Sequence, residues 1–360
     1  MKKRVLMAMS GGIDSSVAAM LLLEQNYELV GATFRTFDHI TEHCLAREKG
    51  CCSIDSIMEA KNLAAQLGFE HHIVDARDLF RRTVIADFIT EYINGRTPNP
   101  CVICNPIIKW GLLLDLADTL HCDYLATGHY AQILETDNCR FIQRGLDKQK
   151  DQSYFLWKLS QAQLQRTLFP LGGLTKTQVR ELAATHGYVK LSQKKESEDI
   201  CFVTDNNYRN FLRQEVPDLT QRCAPGNFIT ADGRVIGRHS GLYNYTIGQR
   251  KGLGVALGRP IFVARLCRAD NSIVLADRED LFITHLTASQ SNIPDMTRLQ
   301  ANPQVMAYIR YRSEPIPARV RLQENMMQVE FAQPVWGVMA GQSIVLYQND
   351  CVVGGGIIEN

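Results

Sequence analysis

The residues Ser10–Ser16, with the sequence SGGIDSS, have the composition of an anion-binding turn. An apolar run typical of a buried parallel strand, Val5–Met9, precedes them, and a run typical of a helix, Val17–Leu23, follows. A Gly-Gly turn at such a junction directs backbone N–H groups toward an anion at the helix N-terminus, and serine hydroxyls add donors. The Asp14 carboxylate is a suitable ligand for Mg²⁺. Because the run lacks the lysine of the kinase phosphate loop, it predicts a different phosphate site, with a glycine-rich turn that binds nothing as the alternative.

Three cysteines lie in polar settings that favour reactive thiols. Cys101 and Cys104 are separated by two residues in the segment Gly95–Asn105, which also holds rigid prolines and an arginine. Cys201 follows the charged segment Lys194–Asp199. Reactive cysteines lie in exposed, polar environments of this kind, whereas structural cysteines are buried and inert. We interpret the remaining cysteines as small buried or incidental residues.

The composition is that of a soluble globular protein with two or three domains. The chain has 360 residues, of which 45% are hydrophobic and 21% are charged. The basic N-terminus Met1–Arg4 resembles the start of a signal peptide, but the apolar run after it is too short for one. No apolar run approaches the ~20 residues that span a membrane. Eleven cysteines without an export signal indicate free thiols in a reducing compartment, so we expect a cytoplasmic protein without a membrane.

The charges are unevenly distributed although the formal net charge is only +1. Residues Arg140–Lys195 hold eleven Lys and Arg against three Asp and Glu, a local charge of +8, which leaves −7 for the rest. A second basic group consists of Arg310, Arg312, Arg319 and Arg321. Localised positive charge allows a nearly neutral protein to hold a polyanion. Two solvated surface faces are the alternative interpretation.

The first part of the chain alternates strand and helix signals, which predicts an α/β domain with an open parallel sheet. The predicted strands are Arg4–Met9, Leu29–Phe34, His72–Asp75 and Tyr124–Thr127. Helices are predicted from Ser53 to Gly68, from Ile107 to Leu120, and after the capping box Thr175-x-x-Gln178. Ligands of such sheets bind at the carboxyl ends of the strands.

Beyond about Thr220 the chain is punctuated by glycines and short alternating runs, which predicts two small antiparallel β modules or barrels. The expected domains are therefore 1–209, 210–285 and 286–360. The predicted strands in this part are Ile261–Leu266, Ser272–Leu275, Gln304–Arg312, Ala318–Leu322, Met327–Phe331 and Ser343–Tyr347, with a tight turn at Asp270-Asn271.

The SGGxDS run resembles the pyrophosphate loop of enzymes that split ATP into AMP and pyrophosphate. Together with further motifs in the same order, it makes the whole chain similar to the bacterial tRNA-specific 2-thiouridylases, the tRNA-uridine 2-sulfurtransferase family. The other motifs are Gly95–Asn105, KDQSYFL at Lys150–Leu156, Ser197–Cys201 and TIGQRKGLG at Thr246–Gly254. SGGxDS alone is widespread, whereas the two cysteine motifs together with KDQSYFL are far more specific.

The resemblance implies ATP and Mg²⁺ as cofactors and assigns site residues. Adenine nucleotide is expected on Ala8, Met9, Ser10, Gly11, Gly12, Ile13, Asp14, Ser15, Phe34 and Gly128. Cys104 matches the family's nucleophile and Cys201 its persulfide-bearing cysteine, while Asp14 is expected to act in adenylation. The target uracil and the rest of the tRNA are expected on Asn99, Pro100, Cys101, Lys150, Asp151, Gln152, Arg310, Tyr311 and Gln342. Some relatives carry Asp where this chain has Cys101, and a thiol, with its higher reference pKa, is a poor substitute in acid–base chemistry.

The implied reaction is ATP-dependent 2-thiolation of the wobble uridine in the tRNAs for Lys, Glu and Gln. Adenylation would make the uracil C2 oxygen a leaving group, and the Cys201 persulfide would supply sulfur, leaving a Cys104–Cys201 disulfide. A cysteine desulfurase or a sulfur-relay protein is the expected donor. An alternative sulfur chemistry uses an iron–sulfur cluster on Cys101, Cys104 and Cys201. Two different functions also agree with parts of the sequence, namely an ATP pyrophosphatase for a small metabolite and a non-catalytic RNA-binding protein.

Overall fold

A computed structural model of the chain describes residues 2–37, 54–136, 139–193, 200–324 and 326–359, which form two compact units. The first unit contains Met1–Val84, Cys101–Asn206 and Asn349–Val353, and the second contains Ile85–Pro100, Asn207–Gln348 and Gly354–Asn360. The predictions for Cys44, Cys51-Cys52, Lys194-Lys195 and Ser197–Asp199 lie outside the described residues. The segment Ile85–Pro100 belongs to the second unit, which the sequence did not indicate, and the predicted domain boundaries remain predictions.

A parallel sheet forms the centre of the first unit, as the alternating pattern predicts. Its strands run in the order β3-β2-β1-β4-β7, and every neighbouring pair is parallel. The strands are β1 (Arg4–Ala8), β2 (Glu28–Arg35), β3 (Glu70–Asp75), β4 (Tyr124–Ala126) and β7 (Thr167–Leu168). The first unit also contains an antiparallel hairpin outside this sheet, formed by β5 (Ala131–Glu135) and β6 (Arg140–Arg144). The middle strand β1 is almost completely buried, which explains its unbroken apolar sequence.

Helices cover the sheet through apolar faces. They are α1 (Ile13–Glu24), α2 (Ile54–Leu67), α3 (Arg77–Phe80), α5 (Pro100–Cys104), α6 (Leu113–Thr119), α7 (Gln161–Gln165), α8 (Lys176–Thr185) and α9 (Val189–Ser192), with α4 (Ala86–Ile93) in the second unit. Val17 of α1, Leu63 of α2 and Val179 of α8 belong to one core cluster with Val5 and Met7 of β1. The predicted capping box is confirmed, because Gln178 N donates to Thr175 Oγ1 and Thr175 N donates to Gln178 Oε1.

The helix that carries the cysteine motif begins earlier than predicted. It runs from Pro100 to Thr119, because a proline fits the first position of a helix. Between α5 and α6 it widens into a π-helix over Asn105–Leu112. Pro106 lacks the N–H of a regular turn and its ring crowds the preceding turn, which accounts for the wider winding. By length and composition alone this helix could cross a membrane, contrary to the expectation, but Ile108 and Trp110 are completely buried within the protein.

The second unit contains two β structures, as predicted. In the first, β8 (Gly226–Ile229), β9 (Val235–His239), β10 (Phe262–Cys267) and β11 (Ser272–Ala276) pair in the order β10-β11-β8-β9. The β8–β11 pair is parallel, so this module is mixed, whereas the prediction was antiparallel. Asn271 has a φ of +52°, as the predicted turn at Asp270-Asn271 requires. Helices α10 (Tyr208–Glu215) and α11 (Leu219–Arg222) precede these strands.

The last part of the chain forms a closed antiparallel barrel. Its strands are β12 (Phe282–Asn292), β13 (Gln304–Tyr308), β14 (Ile316–Gln323), β15 (Met326–Trp336), β16 (Ser343–Gln348) and β17 (Cys351–Ile358), with α12 (Met296–Ala301) after β12. They pair in the order β12-β15-β14-β13-β16-β17, and β12 closes the barrel by pairing with β17. Buried and exposed residues alternate along β14, as expected for a barrel wall.

Candidate active site

Two glycines allow the backbone to close around the predicted phosphate loop. Gly11 has a φ of +68°, and a Cβ atom there would lie 2.3 Å from the carbonyl oxygen of Ser56. Gly128 lies just beyond β4, and a Cβ atom there would lie 2.8 Å from the backbone nitrogen of Ser15 in α1. The carboxyl ends of β1 and β4 therefore meet at the N-terminus of α1, which is where parallel α/β sheets bind ligands.

The serine hydroxyls of the loop maintain its shape. Ser10 N donates to Ser15 Oγ at 3.1 Å. Ser15 Oγ and Ser16 Oγ both donate to the carbonyl oxygen of Gly12, at 3.1 and 2.9 Å. Because these bonds are local, the first turn of α1 holds a fixed anion-binding geometry before any ligand arrives.

The apolar residues predicted to bind adenine nucleotide lie in or beside this loop. Met9 and Ile13 are buried, while Ala8 and Phe34 are partly accessible. Met9 N donates to the Ala32 carbonyl oxygen at 2.7 Å, which extends the pairing of β1 and β2. The structure thus places these predicted residues at the same sheet edge as the loop.

The Asp14 carboxylate has two partners that sequence reasoning missed. Lys176 Nζ donates to both carboxylate oxygens, at 2.8 and 2.9 Å, and the Tyr130 hydroxyl donates to Oδ1 at 2.6 Å. The Lys176 side chain is only 9% exposed, and Asp14 is 32% exposed. The one available signal was the capping box of Thr175 and Gln178, which places Lys176 at the first position of α8.

These contacts bear on the expected Mg²⁺ site. A magnesium ion requires ligand oxygens at about 2.0–2.1 Å in near-ideal geometry. Both oxygens of Asp14 already accept from the Lys176 ammonium, so a metal bound directly to them would lie against a second cation. Asp14 therefore does not fit the role of a direct magnesium ligand, and its charge is compensated by the protein.

The two thiols of the Cys-x-x-Cys motif differ in exposure. Cys101 is exposed and Cys104 is half-buried, and both are reduced. Crowding by protein disfavours the charged thiolate and raises the pKa of Cys101, while the nearby Lys109 ammonium opposes that shift. This direction of shift disfavours the thiolate of Cys101 and does not favour a role as general base. Next to Cys104, the buried Asn105 donates from Nδ2 to the Phe155 carbonyl oxygen at 2.8 Å, which ties this helix to the KDQSYFL segment.

Cys201 is an exposed, reduced thiol next to a firmly packed residue. The neighbouring Phe202 is buried and its ring makes an edge contact with Phe80, with centroids 5.7 Å apart. Within the described residues, no three Cys, His, Asp or Glu side chains form a group that could hold a metal. Cys101, Cys104 and Cys201 thus do not present a preformed ligand set for an iron–sulfur cluster.

The predicted tRNA-contacting residues Lys150, Asp151 and Gln152 have mostly internal contacts. Asp151 is buried and accepts from Gly145 N at 3.0 Å and from Ser153 Oγ at 2.8 Å. Burial outweighs these bonds and raises the pKa of Asp151. Gln152 Oε1 accepts from Tyr130 N, so both side chains brace the turn and Lys150 is left as the candidate for a phosphate contact.

In the second unit, the predicted uracil contacts Asn99 and Pro100 follow a segment held by Gln342. Gln342 Nε2 donates to the carbonyl oxygens of Thr97 and Pro98, at 3.0 and 3.1 Å. The structure thus joins Gln342 to the loop of Asn99, although the sequence suggested only separate tRNA contacts.

Arg96 forms two ion pairs that hold the same loop. Arg96 Nε donates to Glu91 at 2.8 Å and its Nη1 donates to Glu359 at 2.6 Å. Burial opposes the charge of Glu359, but hydrogen bonds from Ser289 and Arg96 outweigh it and hold the pKa of Glu359 below its ordinary value.

Arg310 and Tyr311 follow the end of β13, in a turn of the barrel. Arg310 is exposed, and Ser313 N donates to its carbonyl oxygen at 3.2 Å. The Arg312 guanidinium stacks near the Tyr311 ring, 5.0 Å from its centroid. The sequence predicted a strand through Arg312, but the strand ends at Tyr308 and the chain turns over residues 309–312, where Arg312 has a φ of +58° that a strand cannot contain.

Family models match the chain in succession along nearly its whole length. They are described as tRNA methyl transferase HUP domain over residues 3–205, tRNA methyl transferase PRC-barrel domain over residues 209–277, and aminomethyltransferase beta-barrel domain over residues 283–358. These family matches, with the parallel-sheet fold, define a nucleotide-binding, tRNA-modifying transferase. The chain belongs to the tRNA-specific 2-thiouridylase family, whose members are tRNA sulfurtransferases.

Full-length relatives support this assignment. The tRNA-specific 2-thiouridylase MnmA of Cytophaga hutchinsonii is 46% identical over 360 residues, covering 100% of this chain and 98% of its own. The enzyme of the same name from Clostridium perfringens is 43% identical over 100% of this chain and 99% of its own.

Two solved structures show a weaker likeness. An NMN synthetase from Francisella tularensis has a TM-score of 0.34 at 16% identity, covering 54% of this chain and 66% of that chain. A 4-thiouridine synthetase–RNA complex with bound ATP has a TM-score of 0.33 at 19% identity, covering 61% of this chain and 52% of that chain. No conclusion about function follows from scores of this size.

Proposed function

We propose that the chain uses ATP to thiolate C2 of the wobble uridine in the tRNAs for Lys, Glu and Gln, releasing AMP and pyrophosphate. The observation that carries the proposal is that one compact unit holds the pyrophosphate-type loop Ser10–Ser16, the Cys101–Cys104 motif and Cys201, in a chain related end to end to 2-thiouridylases. The expected location is the cytoplasm, where tRNA is available and thiols stay reduced.

The first step is adenylation of the uracil. The C2 oxygen attacks the α-phosphorus of ATP, and the bond from that phosphorus to the bridging oxygen breaks, which releases pyrophosphate. The protein's contribution to such a transfer is positioning and charge stabilisation. The backbone N–H groups at the start of α1 supply fixed donors for the phosphates, and the contacts of Gly11 and Gly128 hold that turn rigid.

The second step transfers sulfur. Cys104 attacks the inner sulfur of a persulfide on Cys201, which forms a Cys104–Cys201 disulfide and releases hydrosulfide. Hydrosulfide adds to C2, and the C2–O bond breaks as AMP leaves with the oxygen. A cellular thiol reductant must then reopen the disulfide. Alternatively, the outer sulfur of the persulfide attacks C2 directly and AMP leaves. Cys104 then attacks the sulfur of Cys201, which breaks the S–S bond and gives the same products.

A persulfide fits the two sites better than a cluster does. Both Cys104 and Cys201 are reduced and accessible, whereas no preformed three-thiol ligand group exists among the described residues. Membership of a tRNA sulfurtransferase family also sets aside a small-metabolite pyrophosphatase and a purely RNA-binding role. The expected sulfur source is a cysteine desulfurase or a relay protein.

The decisive experiment separates the two steps. Purified protein is incubated with ATP, a desulfurase with cysteine, and a tRNA transcript for Lys, Glu or Gln, and the same transcript with cytidine at the wobble position is the control substrate. Pyrophosphate and 2-thiouridine are measured, the latter by nucleoside mass spectrometry. We expect both products with uridine and neither with cytidine. Pyrophosphate release that does not depend on tRNA would contradict the proposal.

Cysteine variants test the assignment of the thiols. Cys201→Ser and Cys104→Ser should each abolish 2-thiouridine, while tRNA-dependent pyrophosphate release continues, because adenylation precedes sulfur transfer. Cys139→Ser, which changes a half-buried thiol outside these motifs, is the matched control and should keep both products. Full thiolation by Cys201→Ser with the desulfurase as source would refute the persulfide. Iron bound after anaerobic purification would favour the cluster instead.

A further inference from the structure

A buried polar group lies beside the phosphate loop and has no role in the steps above. His129 directly follows Gly128 and is 9% exposed. Its Nδ1 lies 2.7 Å from the Thr127 hydroxyl oxygen, and its Nε2 lies 3.3 Å from Lys109 Nζ. Thr127 is itself buried, so the ring is fixed from both sides.

The partners determine the protonation of the ring. An ammonium group can only donate, so Nε2 must be the unprotonated acceptor for Lys109, and Nδ1 carries the proton that it donates to Thr127. Burial disfavours the imidazolium, and the Lys109 charge disfavours it further, so the pKa of His129 is well below its ordinary value. A neutral ring therefore fixes one charged ammonium.

Lys109 belongs to the π-helical part of the helix that carries Cys101 and Cys104. Lys109 lies inside the π-helical segment Asn105–Leu112, and Cys104, five positions earlier, directly precedes that segment. Hydrogen bonds in a π-helix run between residues five apart, so such residues come close to alignment, whereas in an α-helix they diverge. π-Helical turns are frequent at functional sites for this kind of reason. The Lys109 charge opposes the rise in the pKa of Cys101, so the ammonium lies near that thiol.

Lys109 has no counterion in the part of the chain that the structure describes. Its polar partner there is the neutral His129, and no carboxylate oxygen of the described residues lies within ion-pair distance of Lys109 Nζ. Cys101 does not supply the missing negative charge, because its thiol stays protonated at neutral pH. Charges that are withdrawn from water are normally paired, so a half-buried ammonium held by a neutral ring is arranged for an anion that arrives with a ligand.

We propose that Lys109 is a catalytic residue that binds the α-phosphate of the nucleotide during adenyl transfer, and that His129 is its positioning residue. The proposal rests on the ATP-dependent thiolation proposed above. His129 follows Gly128, which lies against the first turn of α1, and its ring contacts Lys109 on the helix that carries Cys101 and Cys104. The ammonium is therefore tied to both the phosphate-type loop and the cysteine helix. In the transfer, charge on the α-phosphate oxygens is stabilised while the C2–O–P bond forms and pyrophosphate leaves. No proton moves to or from Lys109.

The test compares Lys109→Met, Lys109→Arg and, as a matched control, Lys61→Met, which removes an exposed lysine of α2. Single-turnover pyrophosphate release with saturating tRNA should fall roughly 10²-fold in Lys109→Met, the loss typical of one preorganised donor to developing charge. Lys109→Arg should keep most of the rate, and Lys61→Met should keep all of it. Iodoacetamide modification of Cys104, followed by mass spectrometry, should be unchanged. Undiminished pyrophosphate release in Lys109→Met, whether or not Cys104 becomes less reactive, would overturn the proposal.

His129 is tested through its dependence on Lys109. His129→Leu should lower the rate of pyrophosphate release about tenfold without changing the KM for tRNA, and His129→Gln, whose amide oxygen can accept from the ammonium, should restore part of the loss. Adding His129→Leu to Lys109→Met should cause no further loss, because the histidine acts through the lysine. Multiplied losses in the double variant would overturn the positioning role.

One measurement needs no variant. Nitrogen-15 NMR of the histidine ring should show a protonated Nδ1 and an unprotonated Nε2 at pH 7, and a doubly protonated ring would overturn the proposal. The wild type separates this inference from the proposed function. If the wild type shows no tRNA-dependent pyrophosphate release, the proposed function fails, whereas a normal wild type with an unaffected Lys109→Met disproves this inference alone.

Discussion

The ion pair between Asp14 and Lys176 predicts an asymmetry in stability. In Asp14→Ala the Lys176 ammonium, which is only 9% exposed, loses its carboxylate and has no replacement from water. In Lys176→Met the charge that remains is Asp14, which is 32% exposed and keeps its hydrogen bond from Tyr130. Asp14→Ala should therefore be the more damaging change, although it removes the more accessible member of the pair.

The magnitudes follow from how completely each remaining charge is desolvated. Breaking a fully buried pair costs about 3–5 kcal/mol. Because one partner here is about one-third exposed, we expect a loss of about 2–3 kcal/mol for Asp14→Ala and about 1 kcal/mol for Lys176→Met. The double variant should be no less stable than Asp14→Ala, since the ammonium that lost its carboxylate is gone.

The assay is urea denaturation of the wild type, Asp14→Ala, Lys176→Met and the double variant. The measured quantity is the shift in the urea midpoint at which the first unit unfolds. Asp55→Ala is the matched control, because Asp55 occupies the first turn of α2 as Asp14 does in α1 but is exposed. It loses only the helix-end charge effect, about 0.3–1 kcal/mol. Equal destabilisation by Asp14→Ala and Asp55→Ala, or an Asp14→Ala penalty that persists in the Lys176→Met background, would refute the reasoning.

Three further outcomes concern RNA binding and the barrel. Gln342→Ala removes two hydrogen bonds that brace the segment around Thr97, so the KM for tRNA should rise severalfold while ATP affinity, measured by calorimetry, stays unchanged; an unchanged KM would show that the brace is dispensable. Glu359 has a lowered pKa, so the stability advantage of the wild type over Glu359→Gln should be present at pH 7 and disappear as the pH falls below about 4; an advantage that grows in acid would contradict the assignment. Replacing Lys148 and Lys150 by Ala should reduce the salt slope of tRNA binding by about 0.7–0.9 per lost phosphate contact, and an unchanged slope would mean that this part of the basic segment is only a solvated face.

The sequence predicted β1 and β2 of the parallel sheet well because both are mostly apolar runs, but it did not predict β7, which has only two residues. The barrel was less predictable at its closing strands. β17 (Cys351–Ile358) contains the glycines Gly354–Gly356, which disfavour a strand by propensity, yet it is nearly all buried and paired in the barrel. β12 (Phe282–Asn292) is interrupted by an irregular register after Ile283, so its alternation is not evident in the sequence.

The site could be predicted where its residues are neighbours in sequence and not where they meet only in the fold. The loop Ser10–Ser16 and the thiols of Cys101 and Cys104 form local patterns with a chemical meaning. The partner of Asp14 lies 162 positions away, and no spacing rule connects it to the loop. Likewise, an acidic residue in a basic segment suggests a surface contact, but Asp151 is buried, because it satisfies backbone donors of its own turn.

The segment Ile85–Pro100 belongs to the second unit although the residues on both sides of it belong to the first, and this has a consequence for synthesis on the ribosome. Tyr92 stacks on Tyr208, Thr97 N donates to the Ala340 carbonyl oxygen, and Arg96 pairs with Glu359. Chains emerge N-terminus first at roughly 5–20 residues per second. The segment leading to the cysteine motif must therefore wait for nearly the entire chain before its anchors exist. A nascent chain that ends after Tyr208 has the whole parallel sheet but lacks Ala340 and Glu359, so this segment gains its last anchors only when the barrel has been made.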